Sequence, residues 1–160
     1  MAKGLTFLTL IFGLWIGANA QCCSDVKECP ACPSGWTKFG ERCYIYEGSP
    51  KDWADAEETC LKAGGNLASY HNQREYDFIL GLIRRSSGGN TRIWVGGQDA
   101  TKNKVWLWSD GSIFDFQNWG RGQPNNAQGK EHCMELNFVG KPNDHLCHIK
   151  KPFMCARDPE

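Results

Sequence analysis

Residues 123–133 read QPNNAQGKEHC, and residues 142–147 read PNDHLC. These two stretches gather amide and carboxylate oxygens around one proline and between cysteines. Oxygen-only side chains of this kind are the ligands that a hard cation such as Ca²⁺ prefers. A hydrated Ca²⁺ can exchange its water for the hydroxyls of a sugar, so the pattern indicates a binding site and not a catalytic one. The oxygen-bearing residues are Gln123, Asn125, Glu131, Asn143 and Asp144.

The first 20 residues have the pattern of a secretory signal peptide. Lys3 supplies a positive charge, residues 5–16 form an apolar run, and Ala18-Asn19-Ala20 is a small-residue cleavage site. We predict cleavage before Gln21 and secretion of the mature chain. The alternative is a short membrane anchor, but the apolar run is too short for a good membrane span. About 140 residues remain, which suits one domain.

The charge balance excludes some classes of partner. The 18 basic and 18 acidic residues cancel, and removal of Lys3 with the leader leaves one excess negative charge. No basic stripe is visible, so nucleic acid is not an expected partner. No segment of the mature chain approaches the length of a membrane span, so membrane insertion is not expected either.

All nine cysteines follow the leader, where they are expected to form disulfides in an oxidising compartment. Because nine is odd, at least one is free or bonded to another chain. Cys22, Cys23 and Cys29 lie in a short polar tail at residues 21–31, and we interpret them as candidates for an interchain bridge. The alternative is a local loop closure plus a thiol capped by a small molecule. A zinc knuckle that included Cys32 would lack a second matching pair.

The patterned sequence starts near Cys32. Residues 35–39 and 42–46 flank Gly40-Glu41 and predict a β-hairpin that Cys32 and Cys43 could staple. Further short strands are expected at residues 92–95, 105–108, 132–136 and 152–156. A long glycine-rich stretch with little periodicity lies between Asp110 and Glu131. A loop that long is usually functional or disordered. Three aromatic residues should hold it in place, namely Phe114, Phe116 and Trp119.

Two amphipathic helices are predicted between the hairpin and the later strands. The first begins with Ser49 as its N-cap and ends at Gly64-Gly65. The second begins at Asn72, with Glu75 three residues on as a variant of the capping box. The expected core stripes are Trp53, Ala56, Cys60 and Leu61 in the first helix, and Tyr76, Ile79, Leu80 and Ile83 in the second.

Together these segments resemble the C-type lectin-like domain family over about residues 32–157. The overall pattern is most like small secreted fish lectins and the related type II antifreeze proteins. The segments that carry the resemblance are residues 32–36 (CPSGW), 53–57 (WADAE), 65–69 (GNLAS), 94–97 (WVGG), 106–111 (WLWSDG) and 123–125 (QPN), with the spacing of Cys133, Cys147 and Cys155.

The resemblance implies an α+β fold, in which two helices flank two small antiparallel sheets and a long irregular loop carries the binding site. We therefore predict a tail at residues 21–31 and one disulfide-stapled domain at residues 32–158. The tail keeps Cys22, Cys23 and Cys29. The disulfides that the family implies are Cys32–Cys43, Cys60–Cys155 and Cys133–Cys147.

By position, the resemblance also implies the ligand set of a sugar-coordinating Ca²⁺, and the same residues would hydrogen-bond the sugar. Pro124, which is cis in the family, would turn the flanking side chains toward one side. The implied ligands are Gln123, Asn125, Glu131, Asn143 and Asp144, to which the backbone carbonyl of Asp144 can be added.

Two departures from the family pattern affect this site. Mannose-type sites have Glu-Pro-Asn and galactose-type sites have Gln-Pro-Asp, whereas this chain has Gln-Pro-Asn. Only Glu131 and Asp144 are then carboxylates, so Ca²⁺ should bind more weakly. The family also has a tryptophan where this chain has Pro142, which is expected to alter the local strand and to move Asn143.

The function that the resemblance implies is a secreted, oligomeric, Ca²⁺-dependent carbohydrate-binding lectin that favours galactose or lactose and agglutinates microbes. The alternatives are a Ca²⁺-independent lectin and an ice-binding or protein-binding member of the same fold. Arg121, Lys130 and Lys141 would make a poor ice surface. An enzyme is not expected, because no nucleophile motif accompanies His132 and His145 beside the implied ligands.

Overall fold

The computed structural model describes residues 30–160 of the chain. The predicted signal peptide and the tail residues Cys22, Cys23 and Cys29 lie outside this range. The α-helices within it are α1 (Trp53–Lys62) and α2 (Gln73–Ser87). The strands are β1 (Thr37–Phe39), β2 (Arg42–Lys51), β3 (Asn66–Leu67), β4 (Ile93–Gln98), β5 (Leu107–Trp108), β6 (Cys133–Phe138), β7 (Lys141–His145) and β8 (Lys151–Arg157).

The strands form one connected sheet in which two antiparallel parts meet. Their order is β1-β2-β8-β4-β6-β7, with β3 paired to β8 and β5 paired to β4. Strands β4 and β8 are parallel and are joined at the pair Trp94 and Phe153, whereas the other pairs are antiparallel. The predicted α+β fold is confirmed, and its two antiparallel sheets are the two sides of this parallel junction.

The start predicted for the first helix is wrong. Strand β2 continues past Ser49 to Lys51, which pairs with Lys151 of β8. The helix begins afterwards, and Asp52 is its N-cap. The Asp52 carboxylate accepts a hydrogen bond of 2.9 Å from the backbone N–H of Asp55. Pairing with β8 therefore outweighs the local preference for a helix start.

Helix α2 begins as predicted. The Asn72 side chain accepts a hydrogen bond of 3.0 Å from the Glu75 backbone N–H, and the Glu75 carboxylate accepts one of 2.7 Å from the backbone N–H of His71. Gly88 ends the helix in the left-handed conformation at φ 76°. Neither α-helix in residues 30–160 has the length and apolar content needed to cross a bilayer.

The core lies on both sides of the parallel junction. One part packs α2 against the sheet, and the other packs α1 against Trp94 and Phe153. The predicted stripes are correct except for three residues: Trp53 and Leu80 are half-buried, and Leu61 is 55% exposed. Leu61 follows the buried Cys60 and therefore points about 100° further around the helix. The disulfides that the resemblance implies are present, namely Cys32–Cys43, Cys60–Cys155 and Cys133–Cys147.

Strand β7 is not predicted by the sequence pattern, because proline, asparagine and aspartate are depleted in strands. Pro142 is tolerated there because β7 is the last strand of the sheet order and has a free edge. Asn143 lies opposite Glu135 of β6, and the register then shifts between Glu135 and Phe138, where the pairing passes Pro142.

The long loop between β5 and β6 is anchored at its beginning by the Asp110 carboxylate. Oδ2 accepts hydrogen bonds from Ser69 Oγ and from Arg42 Nη2, the latter at 3.2 Å. Oδ1 accepts from the backbone N–H and the hydroxyl of Ser112 at 2.9 and 2.5 Å. Burial alone would raise the pKa of Asp110, but the hydrogen bonds from Ser112 and Ser69 and the Arg42 charge hold it below its ordinary value. Further along, Phe114, Phe116 and Trp119 pack against the core, as predicted.

Asp110→Asn is expected to lower the free energy of unfolding at pH 7 by about 1–3 kcal/mol, because the neutral amide cannot accept on both sides. A carboxyl with a depressed folded pKa stabilises the protein above its unfolded pKa of about 3.9 and loses that contribution as the pH falls through the folded value. Urea unfolding should therefore show a wild-type advantage at pH 7 that shrinks as the pH falls through the lowered pKa of Asp110.

Asp77→Asn is the matched control, because Asp77 is exposed on α2. Its effect should stay within about 0.5 kcal/mol. Equal stability of the Asp110→Asn variant and the wild type at pH 7 would contradict the anchoring role.

Candidate functional site

The Gln123-Pro124-Asn125 segment lies against strand β7. The Gln123–Pro124 peptide bond is cis. The backbone N–H of Gly120 donates to the Pro142 carbonyl at 2.9 Å, and the Gln123 N–H donates to the Gly120 carbonyl at 3.0 Å. A β-carbon at Gly120 would lie 3.2 Å from the Pro142 carbonyl oxygen, so only glycine permits this approach without displacement.

The Asp144 carboxylate fixes the segment on β7. Asp144 is fully buried, and its Oδ1 accepts a hydrogen bond of 3.0 Å from the backbone N–H of Asn125. Its Oδ2 accepts one of 2.5 Å from the backbone N–H of Asn126. Charge-assisted hydrogen bonds of this kind are among the stronger ones in proteins. The carboxylate therefore has a structural role whether or not it also binds a ligand.

Glu131 closes the same loop from its other end. Its Oε2 accepts a hydrogen bond of 3.1 Å from the Ala127 backbone N–H. Its own N–H donates to Asn126 Oδ1 at 3.0 Å, and Asn126 Nδ2 donates to Asn103 Oδ1 at 3.0 Å. Asn126 has a φ of 45°, in the left-handed region that asparagine tolerates better than most residues. Asn126 thus connects Glu131 with the turn after β4.

Asn143 behaves differently from the other predicted ligands. Asn143 is only 4% exposed, and its Nδ2 donates a hydrogen bond of 2.9 Å to Glu135 Oε1. Glu135 is itself fully buried and forms a salt bridge of 2.8 Å with Lys151. The Asn143 amide is therefore bonded to a buried ion pair and to none of the other four predicted residues.

Three of the predicted site residues, Gln123, Asn125 and Glu131, lie in the loop, and Asn143 and Asp144 lie in strand β7. The structure brings Asp144 together with Asn125 through the Asn125 backbone, and Glu131 belongs to the same hydrogen-bonded loop. The Asn125 side chain is exposed. Gln123 Oε1 and Asn143 Oδ1 are buried, and neither has a hydrogen-bond partner among residues 30–160.

The donor chemistry fits a hard cation. The five side chains are carboxylates or amides, so each can offer an oxygen atom as a metal ligand. Two of the amide oxygens are buried and lack a hydrogen-bond partner among residues 30–160. Two of the five are carboxylates, Glu131 and Asp144. Within residues 30–160 there is no group of three or more His, Cys, Asp and Glu side chains that could hold a metal. A cation at this site would therefore depend on amide oxygens as much as on carboxylates.

Two supporting carboxylates are not evident from the sequence pattern. Asp99 is 2% exposed, and its Oδ1 lies 2.8 Å from His132 Nδ1 while its Oδ2 accepts from the Lys104 N–H at 2.7 Å. His132 is thus hydrogen-bonded to Asp99 beside Glu131. The second is Glu135. Its position between the apolar Met134 and Leu136 indicates that it lies in a buried strand and needs a polar partner there.

Comparison with known proteins agrees with this geometry. Residues 49–157 match the family model described as the lectin C-type domain, within the predicted domain at residues 32–158. The chain belongs to this family. It is 46% identical over 153 residues to the galactose-specific lectin nattectin of Thalassophryne nattereri, a match that covers 95% of this chain and 94% of the relative.

Two further comparisons point the same way for the fold. The chain is 40% identical over 132 residues to the lactose-binding lectin l-2 of Anguilla japonica, covering 79% of this chain and 78% of the relative. The solved structure of a Ca²⁺-dependent type II antifreeze protein in its Ca²⁺-free form superposes with a TM-score of 0.72 at 34% identity. That match covers 79% of this chain and 99% of the other.

Replacement of Asp144 by alanine removes the acceptor of two backbone N–H groups. Hydrogen exchange at the amides of Asn125 and Asn126 should accelerate by roughly tenfold to a hundredfold, the equivalent of about 1.5–3 kcal/mol for a bond to a charged acceptor. Asp144→Asn should give an intermediate effect, because one acceptor oxygen remains.

Asp115→Ala is the matched control, since this carboxylate lies in the same long loop and bonds to His71 instead. It should leave exchange at Asn125 and Asn126 unchanged. Slow exchange at both amides in Asp144→Ala would contradict the proposed anchoring of the loop.

Proposed function

We propose that the protein is a secreted carbohydrate-binding lectin that recognises galactose or lactose with the help of Ca²⁺. The observation that carries the proposal is the buried Asp144 carboxylate, which holds the Gln123-Pro124-Asn125 loop on β7 with two amide oxygens left unpartnered. Family membership and the galactose- and lactose-binding relatives support the ligand class. The three disulfides of residues 30–160 support an oxidising, extracellular location.

The proposed Ca²⁺ would be held by Gln123, Asn125, Glu131, Asn143 and Asp144. When bound, the ion would supply positive charge that attracts two neighbouring sugar hydroxyls. The chain itself contributes hydrogen-bond donors and acceptors to those hydroxyls: the exposed Asn125 amide can do both, and the carboxylates can accept. With two carboxylates in place of three, the affinity for Ca²⁺ should be modest.

A Ca²⁺-independent lectin is the second candidate, and one observation favours it. The Asn143 amide is already bonded to Glu135, so it is less free to serve a cation than the other residues are. Catalysis is not proposed, because no nucleophile motif accompanies His132 and His145 beside the loop. Ice binding is not proposed either, because Arg121, Lys130 and Lys141 are exposed around the loop.

A glycan array with Ca²⁺ and again with EDTA tests the proposal. Galactose- and lactose-terminated glycans should bind in Ca²⁺, and chelation should abolish the signal. Binding that survives EDTA would contradict the Ca²⁺ mechanism and favour the second candidate. Absence of binding under both conditions would contradict the carbohydrate-binding proposal itself.

Gln123→Glu adds a third carboxylate to the proposed ligand set. Because Ca²⁺ affinity rises with ligand charge, calorimetry should show Ca²⁺ binding tightened by about fivefold or more, and sugar preference should move toward mannose. Gln117→Glu is the control, since it adds the same charge to an exposed position of the same loop. An equal gain in both variants would show a general effect of net charge and would count against direct ligation.

We also propose that Cys22, Cys23 and Cys29 link subunits into a disulfide-bonded homo-oligomer. Linked sites would raise the avidity for a multivalent surface by about 10²–10⁴ and so permit agglutination of microbes in innate defence. A non-reducing gel should show a dimer or larger species that serine replacement of the three cysteines converts to monomer. A wild-type protein that runs only as monomer would contradict this part.

A further inference from the structure

A cleft of about 420 Å³ opens beside the Gln123 side of the loop. It lies between the loop and the turn that joins β6 to β7, and this volume is in the range of small-ligand sites. Its wall includes Gln123 itself, so the cleft borders the proposed sugar site. The residues that matter for its chemistry are Trp119, Arg121, Gln123, Phe138, Val139 and Lys141.

The cleft carries two cations and no carboxylate in its lining. Arg121 and Lys141 are both exposed, and neither forms a salt bridge with a residue of the described range 30–160. In contrast, Arg42 and Lys151 are paired with Asp110 and Glu135. The positive charge at this cleft is therefore not neutralised locally.

The apolar part of the wall includes two aromatic rings that pack against neighbouring side chains. Trp119 packs against Trp106 with 4.7 Å between ring centroids. Phe138 lies under the Arg92 guanidinium at 4.6 Å, and this arginine in turn lies 3.9 Å from Glu135. The turn is also held from below, since the Tyr76 hydroxyl donates to the Gly140 carbonyl at 3.2 Å. Aromatic faces beside cations suit a sugar ring that bears an anionic group.

We propose that this cleft is a second subsite, which binds a carboxylate or sulfate group carried on or next to the galactose in the main site. The inference rests on the proposed function, because Gln123 belongs to both sites. The ligand class is thus an acidic galactoside, held at the loop by its neutral sugar and at the cleft by its anion. Each exposed ion pair contributes little binding free energy on its own. The acidic group therefore changes the preference among galactosides and does not replace binding at the main site.

Three probes separate the main site from the cleft: lactose, lactose bearing a terminal sialic acid, and sulfated lactose. At about 50 mM salt, the two acidic probes should bind roughly threefold to tenfold more tightly than lactose. At about 0.5 M salt the difference should largely disappear, because exposed charges are then screened. If only one acidic probe is preferred, that probe identifies the anion as a carboxylate or as a sulfate.

Arg121→Gln and Lys141→Gln should each reduce the acidic preference without changing lactose affinity. Arg85→Gln and Lys150→Gln are matched controls, because they remove the same charges from exposed positions outside the cleft. Val139→Asp tests the site in the opposite way. Val139 is 87% exposed at a φ of 48°, which aspartate tolerates, and the added negative charge should repel the acidic probes alone.

The outcomes distinguish the two claims. Tight lactose binding with no acidic preference would overturn the second subsite and leave the main site intact. An acidic preference that the cleft variants leave unchanged would also overturn it. Absence of lactose binding together with absence of acidic-probe binding would overturn both, whereas an acidic preference lost in Arg121→Gln, Lys141→Gln and Val139→Asp would support the subsite.

Discussion

The Asp144 carboxylate is the contact on which the geometry of the site depends. It is fully buried and accepts hydrogen bonds from the backbone N–H groups of Asn125 and Asn126. If the loop left β7, the carboxylate would lose both hydrogen bonds and its charge would be left unsatisfied. Asp144 lies opposite Met134 of β6, and the Cys133–Cys147 disulfide closes the hairpin around it. The loop is therefore attached to a hairpin of the sheet that a disulfide closes.

The same hairpin connects the site to a buried ion pair. Asn143, the neighbour of Asp144, donates to Glu135, and Glu135 is neutralised by Lys151 of β8. The Lys151 ammonium lies 5.0 Å from the centre of the Trp94 ring, beside the parallel junction of the sheet. Strand β7 thus carries one carboxylate and one carboxamide with different roles. Of these two neighbouring groups, the Asp144 carboxylate bonds to the loop, and the Asn143 carboxamide bonds to Glu135 of the buried ion pair.

The fold could be predicted where local chemistry determines structure. The Asn72 capping box is an example, since its partners lie within a few residues. The start of α1 at Trp53 could not be predicted in this way, because it depends on the pairing of Lys51 with Lys151, which lie one hundred positions apart in the chain. At the site, the residue types and their positions follow from the motif. The bond from Asn143 to Glu135 does not, because it requires the register of β6 against β7, and the lack of a regular strand pattern around Pro142 conceals that register.

A crystal structure of the protein grown with Ca²⁺ and lactose would show whether an ion at the Gln123-Pro124-Asn125 loop bridges the protein and the sugar. One ion is expected within about 2.3–2.6 Å of protein oxygens, with two hydroxyls of the galactose ring completing its coordination. The ligating residues should be Gln123, Asn125, Glu131, Asn143 and Asp144. Lactose bound at this loop with no ion, or bound elsewhere on the domain, would contradict the proposed Ca²⁺ mechanism.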